Sequence, residues 1–248
     1  MRLRSLVATV VTVVSVALGS LAPVTVFAQQ ATDPLADGLV PGNYIRVGVS
    51  SVTPVSPQGS LKDWNRGVGF GVTYENWDQG RSGVGRIGYG FMVDYALLPF
   101  NDEQFIRDFI PLSGTTLSAT AKRAGVFQAG VNLRIRIPAP YIMPSVFLQL
   151  GFLNWHPGQI TFTTTTVANQ TAKQETRSGG LLSIGGSLDK HIYDRFALFG
   201  EALYTYAYTS FGQGLGASGS QCVASNCDLL KNTSLGSIRG GLRVRVGN

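Results

Sequence analysis

Residues 86–95 read Arg-Ile-Gly-Tyr-Gly-Phe-Met-Val-Asp-Tyr, and the fold is decided there. In an extended chain, successive side chains point to opposite faces. Ile87, Tyr89, Phe91, Val93 and Tyr95 therefore share one face, and Arg86, Gly88, Gly90, Met92 and Asp94 share the other. In a water-soluble sheet the polar face meets solvent and is rich in charge. Here the polar face is mostly glycine with isolated ions, which suits a crowded interior, while the large apolar groups suit a lipid-facing exterior.

The same period recurs on both sides of this stretch. Residues 44–50 alternate Ile45, Val47 and Val49 with Arg46 and Gly48, and residues 65–76 alternate Val68, Phe70, Val72 and Tyr74 with glycines, Thr73 and Glu75. After residues 84–97, which hold the opening stretch, further segments are predicted at 120–137, 141–155, 180–189, 195–209 and 235–246. In the last of these, Ile238, Leu242 and Val244 oppose Arg239, Arg243 and Arg245. Eight such segments predict an all-β fold: an eight-stranded antiparallel up-and-down transmembrane β-barrel. Lipid offers no hydrogen bonds to the backbone, so strands cross it only as a closed sheet.

The connections alternate in length. Those at 51–64, 98–119, 156–179 and 210–234 are long, and those at 77–83, 138–140 and 190–194 are short. Membrane barrels place long loops outside the cell and short turns in the periplasm. A soluble lipocalin-type barrel also closes eight strands and is the competing reading. Two interfacial aromatic belts are expected. Tyr44, Trp77, Tyr89, Tyr141, Tyr193 and Phe196 would lie on the periplasmic side; Trp64, Tyr95, Phe127, Phe152, Trp155, Tyr204 and Tyr206 would lie on the outer side.

Composition agrees. Charged residues are 14% of the 248, hydrophobic residues 44%, and glycines number 31; soluble domains usually carry about a quarter charged residues. The net charge of +6 does not gather into a basic run or helical face, so nucleic acid is not an expected partner. At the N-terminus, Arg2 and Arg4 precede an apolar run from Leu6 to about Leu18, and Val26-Phe27-Ala28 supplies small residues for cleavage. The expected organisation is a signal peptide over 1–28, a periplasmic lead over 29–43 and the barrel over 44–248. Cys222 and Cys227, four residues apart in a polar loop of an exported chain, are expected to form a local disulfide.

The segments and their topology resemble the small eight-stranded outer-membrane barrels, the group that includes the OmpA transmembrane domain, OmpX and the opacity-type adhesins. The resemblance covers residues 44–246. It departs at the C-terminus, where those barrels often end in an aromatic residue and this chain ends Arg245-Val246-Gly247-Asn248. The resemblance implies a bacterial outer-membrane location, surrounded by lipid and lipopolysaccharide.

The lumen of such a barrel is just wide enough for side chains to fill it. Its ionic residues are expected to be Arg46, Glu75, Arg86, Asp94, Arg134, Arg136, Asp189, Glu201, Arg239, Arg243 and Arg245, forming a plug of ion pairs. The excess of arginine keeps a narrow porin-like channel as the alternative. Outside, Thr161 and Thr163–Thr166 predict a polar hairpin continuing the fifth and sixth strands, with a turn at Asn169-Gln170; its edge could add a strand from another protein. Asn101 with Gln104 predicts a capped short helix over 101–109, with Phe105, Ile106 and Phe109 on its apolar side.

A lipid A-modifying enzyme needs a histidine beside a serine or carboxylates near the outer rim. Only His156 and His191 exist; His156 precedes Pro157-Gly158 without a serine pattern, and His191 sits in a short turn. The Gly-x-Gly pairs lie inside strands, where a dinucleotide loop does not form. The expectation is a monomeric, non-enzymatic barrel without metal or cofactor, whose outer loops carry a structural or adhesin-like role toward host or envelope proteins.

Overall fold

The computed structural model describes residues 41–55, 64–77, 86–106, 116–137, 139, 142–156, 160–164, 170–172, 176–193, 195–211 and 232–246. The expected signal peptide, most of the lead, the Cys222–Cys227 pair, Phe109 and Tyr141 lie outside them. The strands are β1 (Gly42–Pro54), β2 (Gly67–Trp77), β3 (Arg86–Leu98), β4 (Thr116–Ala121), β5 (Ala124–Arg136), β6 (Met143–His156), β7 (Ile160–Thr164), β8 (Gln170–Ala172), β9 (Arg177–Tyr193), β10 (Phe196–Phe211) and β11 (Asn232–Val246).

Eight of these form one closed barrel in the order β1-β11-β10-β9-β6-β5-β3-β2. Every pair is antiparallel, and β1 pairs with β11 from Asn43↔Val246 to Pro54↔Leu235, so no edge is left open. Closure gives every strand a hydrogen-bonded neighbour on both sides, which lipid requires. Both termini of the barrel and its short connections lie at one end, here the terminus end. The connections after β1, β3, β6 and β10 lie at the other, the loop end.

Face assignments follow the period of two. Val49, Val68, Phe91, Val131, Val146, Ile184, Leu198 and Ile238 are exposed on the outside, with Phe91 65% exposed. Arg46, Glu75, Arg134, Gln149, Asp189 and Arg243 point inward and are at most 2% exposed. Among the described residues no helix is long and apolar enough to cross a membrane. An apolar sheath of this extent around a closed antiparallel barrel is the architecture of the outer-membrane type.

Two readings need correction. The fourth predicted strand does not run unbroken from residue 120 to 137. Lys122 and Arg123 interrupt it, so Thr120 and Ala121 belong to β4 and the barrel strand begins at Ala124. The predicted polar hairpin exists as β7 and β8, paired Ile160↔Ala172 to Phe162↔Gln170, so Gln170 is in a strand and not in the turn. The hairpin does not extend the barrel either. It joins β4, by Thr120↔Thr161 and Ala121↔Ile160, in a separate three-stranded sheet of order β4-β7-β8. Burial explains this: Ala119 and Ile160 are buried with Phe105, while Ser118 and Thr120 alternate outward.

The longest barrel strands are β9 and β10, of 17 and 16 residues. A tilted strand needs about 9–11 to span. Of the predicted helix, residues 102–106 are helical, and 107–109 lie outside the described residues. Asn101 Oδ1 accepts the Gln104 amide at 3.2 Å, and its Nδ2 donates to Gln104 Oε1 at 3.2 Å. Phe105 packs on Phe100 and the small sheet, ring centroids 5.4 Å apart.

Candidate functional site in the barrel lumen

The lumen has two layers. Toward the terminus end it is ionic. Arg46, on β1, reaches across the barrel to β9 and β10: Nη2 lies 2.9 Å from both Asp189 Oδ1 and Glu201 Oε1. Arg134, on β5, donates Nη2 to Glu201 Oε1 at 2.7 Å and sets Nε 2.9 Å from Glu75 Oε1. Arg136 Nη2 and Arg243 Nη1 both meet Asp189 Oδ2, at 2.8 and 2.9 Å. Arg239 Nη2 meets Asp94 Oδ1 at 2.5 Å. Nine of the eleven residues singled out from the sequence thus fall within one connected set of contacts, because Arg239 Nη1 also approaches Glu201 Oε2 at 3.8 Å. Arg86 and Arg245 stand half-buried at the mouth, on the lumen-facing parity of β3 and β11.

Neutral groups complete the layer. Trp77 Nε1 donates to Glu75 Oε2 at 3.1 Å, and Asn132 Nδ2 donates to Glu75 Oε1 at 3.3 Å. Ser187 Oγ accepts from Arg134 Nη1 at 2.7 Å and donates to Asp189 Oδ1 at 3.2 Å. Taking charges from water costs several kcal/mol per ion, which only saturated pairing repays. The two-pronged guanidinium can bridge two acids at once, as Arg46 and Arg134 do here.

Four arginines are also stacked. Their guanidinium carbons lie over aromatic rings: Arg46 over Phe199 at 4.2 Å, Arg134 over Phe147 at 4.3 Å, Arg136 over Trp77 at 4.5 Å and Arg243 over Tyr44 at 4.8 Å. The rings need room, and glycine provides it. A Cβ on Gly88 would sit 2.6 Å from the Trp77 ring, one on Gly185 2.5 Å from Phe147, and one on Gly48 2.9 Å from Phe199. The glycine-rich lumen face is therefore the complement of these platforms.

By sequence only Phe199 among these rings is placed on the polar face of its segment. Tyr44 and Trp77 were expected in the periplasmic belt, and Trp64 and Trp155 in the outer one; all four are buried inside. The signal was present in parity: Tyr44 lies two residues before Arg46, and Trp77 two after Glu75. Tyr89, Tyr193 and Phe196 on one side, and Tyr95, Phe152, Tyr204 and Tyr206 on the other, do face outward.

Toward the loop end the lumen turns apolar. Val52, Met92, Ala96, Leu98, Ala124, Val126, Leu153, Trp155, Leu181, Ala207 and Leu235 pack into one cluster with Trp64. Phe100 and Ala121 pack against both this cluster and the core of the small sheet, so the apolar filling continues into the outer cap. Trp64 bridges to Phe100 by backbone pairing, with rings 5.2 Å apart.

The two histidines are far from one another in the fold. His156, exposed at the loop end, pairs Nδ1 with Thr176 Oγ1 at 2.5 Å. His191 Nε2 lies 2.9 Å from Arg243 Nη2 at the terminus end.

The chain matches no protein-family model and no curated protein. Among solved structures it is similar to a major outer membrane protein of Thermus thermophilus, at 10% identity, covering 83% of this chain and 100% of that one, with a TM-score of 0.46. It is also similar to Neisserial surface protein A, at 13% identity over 83% and 97%, TM-score 0.42. A third is the attachment invasion locus protein Ail of Yersinia pestis, at 15% identity over 84% and 100%, TM-score 0.42. The closed register and the apolar exterior, and not these likenesses, make the chain a small transmembrane barrel of outer-membrane type.

Proposed function

We propose that the protein is a non-conducting, non-enzymatic barrel of the bacterial outer membrane. Its barrel would be an anchor, and its loop-end sheet would present a surface to envelope or host proteins. One observation carries the reading: the lumen is filled twice over. The ionic layer pairs its charges across the barrel, and the apolar layer above it buries Leu98, Ala124, Leu153 and Leu235 completely. A solute path needs a continuous hydrated bore, and an apolar constriction closes a pore by excluding water. This favours a closed barrel over the porin-like alternative, which rests on the surplus of arginine.

The small sheet supports the presenting role. Its inner side, Ala119 and Ile160, packs on Phe105 and Phe100; Phe100 and the sheet's own Ala121 also pack against the apolar cluster of the barrel, which ties the sheet to it, and Ser118 and Thr120 face solvent. In this reading the barrel is a monomer within lipid and lipopolysaccharide, since closure leaves no barrel edge for another chain. Cys222 and Cys227 would close a disulfide in the last outer loop.

Single-channel recording of the refolded protein in a planar bilayer tests the closed lumen. Silence is expected, and a steady open level would overturn the reading. Replacing residues 160–172 with a Gly-Ser linker tests the presenting role. Adhesion of cells displaying the variant should fall while the barrel still folds; unchanged adhesion would remove that role.

A further inference from the structure

The terminus-end mouth of the lumen is more basic than the layer behind it. Behind it, Arg134 and Arg239 each meet two carboxylates, drawn from Glu75, Asp94 and Glu201. At the mouth, one carboxylate, Asp189, receives both Arg136 and Arg243 and also shares Arg46 with Glu201. Arg136 is 3% exposed, spends Nη2 on Asp189, and leaves Nε and Nη1 with no hydrogen-bond partner among the described residues. Arg86 stands opposite Arg136 in the strand register, and Arg245 follows Arg243 on the same face of β11.

A buried guanidinium edge without an acceptor costs free energy comparable to a lost charged hydrogen bond. An anion with several acceptor oxygens would repay that cost and offset the charge surplus. Guanidinium forks match tetrahedral oxyanions, engaging two oxygens at a time. The source of the anion follows from which face these residues occupy. They alternate with Ile87, Ile135 and Leu242, which face lipid. They do not open to lipid; the partly exposed Arg86 and Arg245 mark the side from which a solute would enter.

We propose that this mouth is a binding site for a small free oxyanion of the phosphate class, held by Arg136 and Arg243 with Arg86 and Arg245 at its rim. The site is independent of the presenting role at the opposite end. Stacking on Trp77 holds the Arg136 guanidinium in place before the anion arrives, so little side-chain entropy is lost on binding.

The test uses the full mature chain refolded in neutral maltoside micelles in phosphate-free buffer. Inorganic phosphate is titrated against chloride at constant ionic strength, reading the heat of binding and the thermal midpoint. A saturable heat and a raised midpoint are expected. Arg136→Gln should weaken binding about tenfold or more, the loss of one charged hydrogen bond. Arg86→Gln, at a half-buried position, tests the same site should Arg136→Gln disturb folding, and heat-modifiable gel mobility reports folding for both. Lys190→Gln removes the same charge from an exposed position and should leave binding unchanged. The proposal fails if wild type gives no saturable heat, if Lys190→Gln weakens binding as much as the lumen variants, or if the response requires phosphatidylglycerol in the micelle and free phosphate has none.

Discussion

The terminus half and the loop half of the lumen are filled by opposite chemistry. In one, arginines sit on four aromatic rings and share four carboxylates; in the other, leucines, alanines and tryptophan pack together, and the two fillings meet on β3, where Asp94 lies between Met92 and Ala96. An ionic filling is directional and depends on every partner being present, since removing one strands the rest as buried charge. An apolar filling is non-directional and depends on volume. The first sets which strands face one another across the bore; the second closes the bore and merges with the outer cap.

The largest effect is expected where three guanidiniums depend on one acid. Asp189→Asn keeps the shape and should lower barrel stability by about 3–5 kcal/mol, read from the urea midpoint in lipid vesicles. A loss under about 1 kcal/mol would mean that the ionic half is hydrated and the contrast between the halves is false. Leu153→Ala, in the apolar half, should cost about 2–4 kcal/mol by leaving a cavity. Leu153 pairs with Gly179, ten residues along β9 from Asp189, so the double variant should lose the sum of the two costs. Strong coupling would mean that the halves act as one unit.

Finer substitutions sharpen the comparison. Phe199→Leu keeps an apolar group on the lumen face and removes the platform under Arg46; about 0.5–2 kcal/mol should be lost. Asn101→Ala should cost about 1 kcal/mol, confined to the helical turn at 102–106. It should speed amide exchange there and leave the urea midpoint of the barrel unmoved; a shifted midpoint would show the cap to be part of the barrel's folding unit.

The faces of the strands were legible because they follow from a local rule. Once a segment is extended, Arg46 and Val47 must point oppositely, whatever the rest of the chain does. That is why lumen residues as distant as Glu75 and Arg243 were placed without knowing their partners. Position near a strand end does not by itself put an aromatic in a belt: parity turns Tyr44 and Trp77 into the lumen. Nothing in the hairpin's own residues names β4 as its partner. That pairing depends on Ala119 and Ile160 burying one side against Phe105, a contact between two different loops.

By itself the sequence determined eight alternating segments, the side each residue takes, and the end at which long connections gather; all are properties of neighbours along the chain. The tertiary structure decided that Asp189 gathers three arginines, that glycines lie beneath aromatic rings, and that ionic and apolar residues separate into two layers. Those outcomes depend on the stagger with which the strands close, and that stagger is set by the whole ring of pairings at once, not by any one segment.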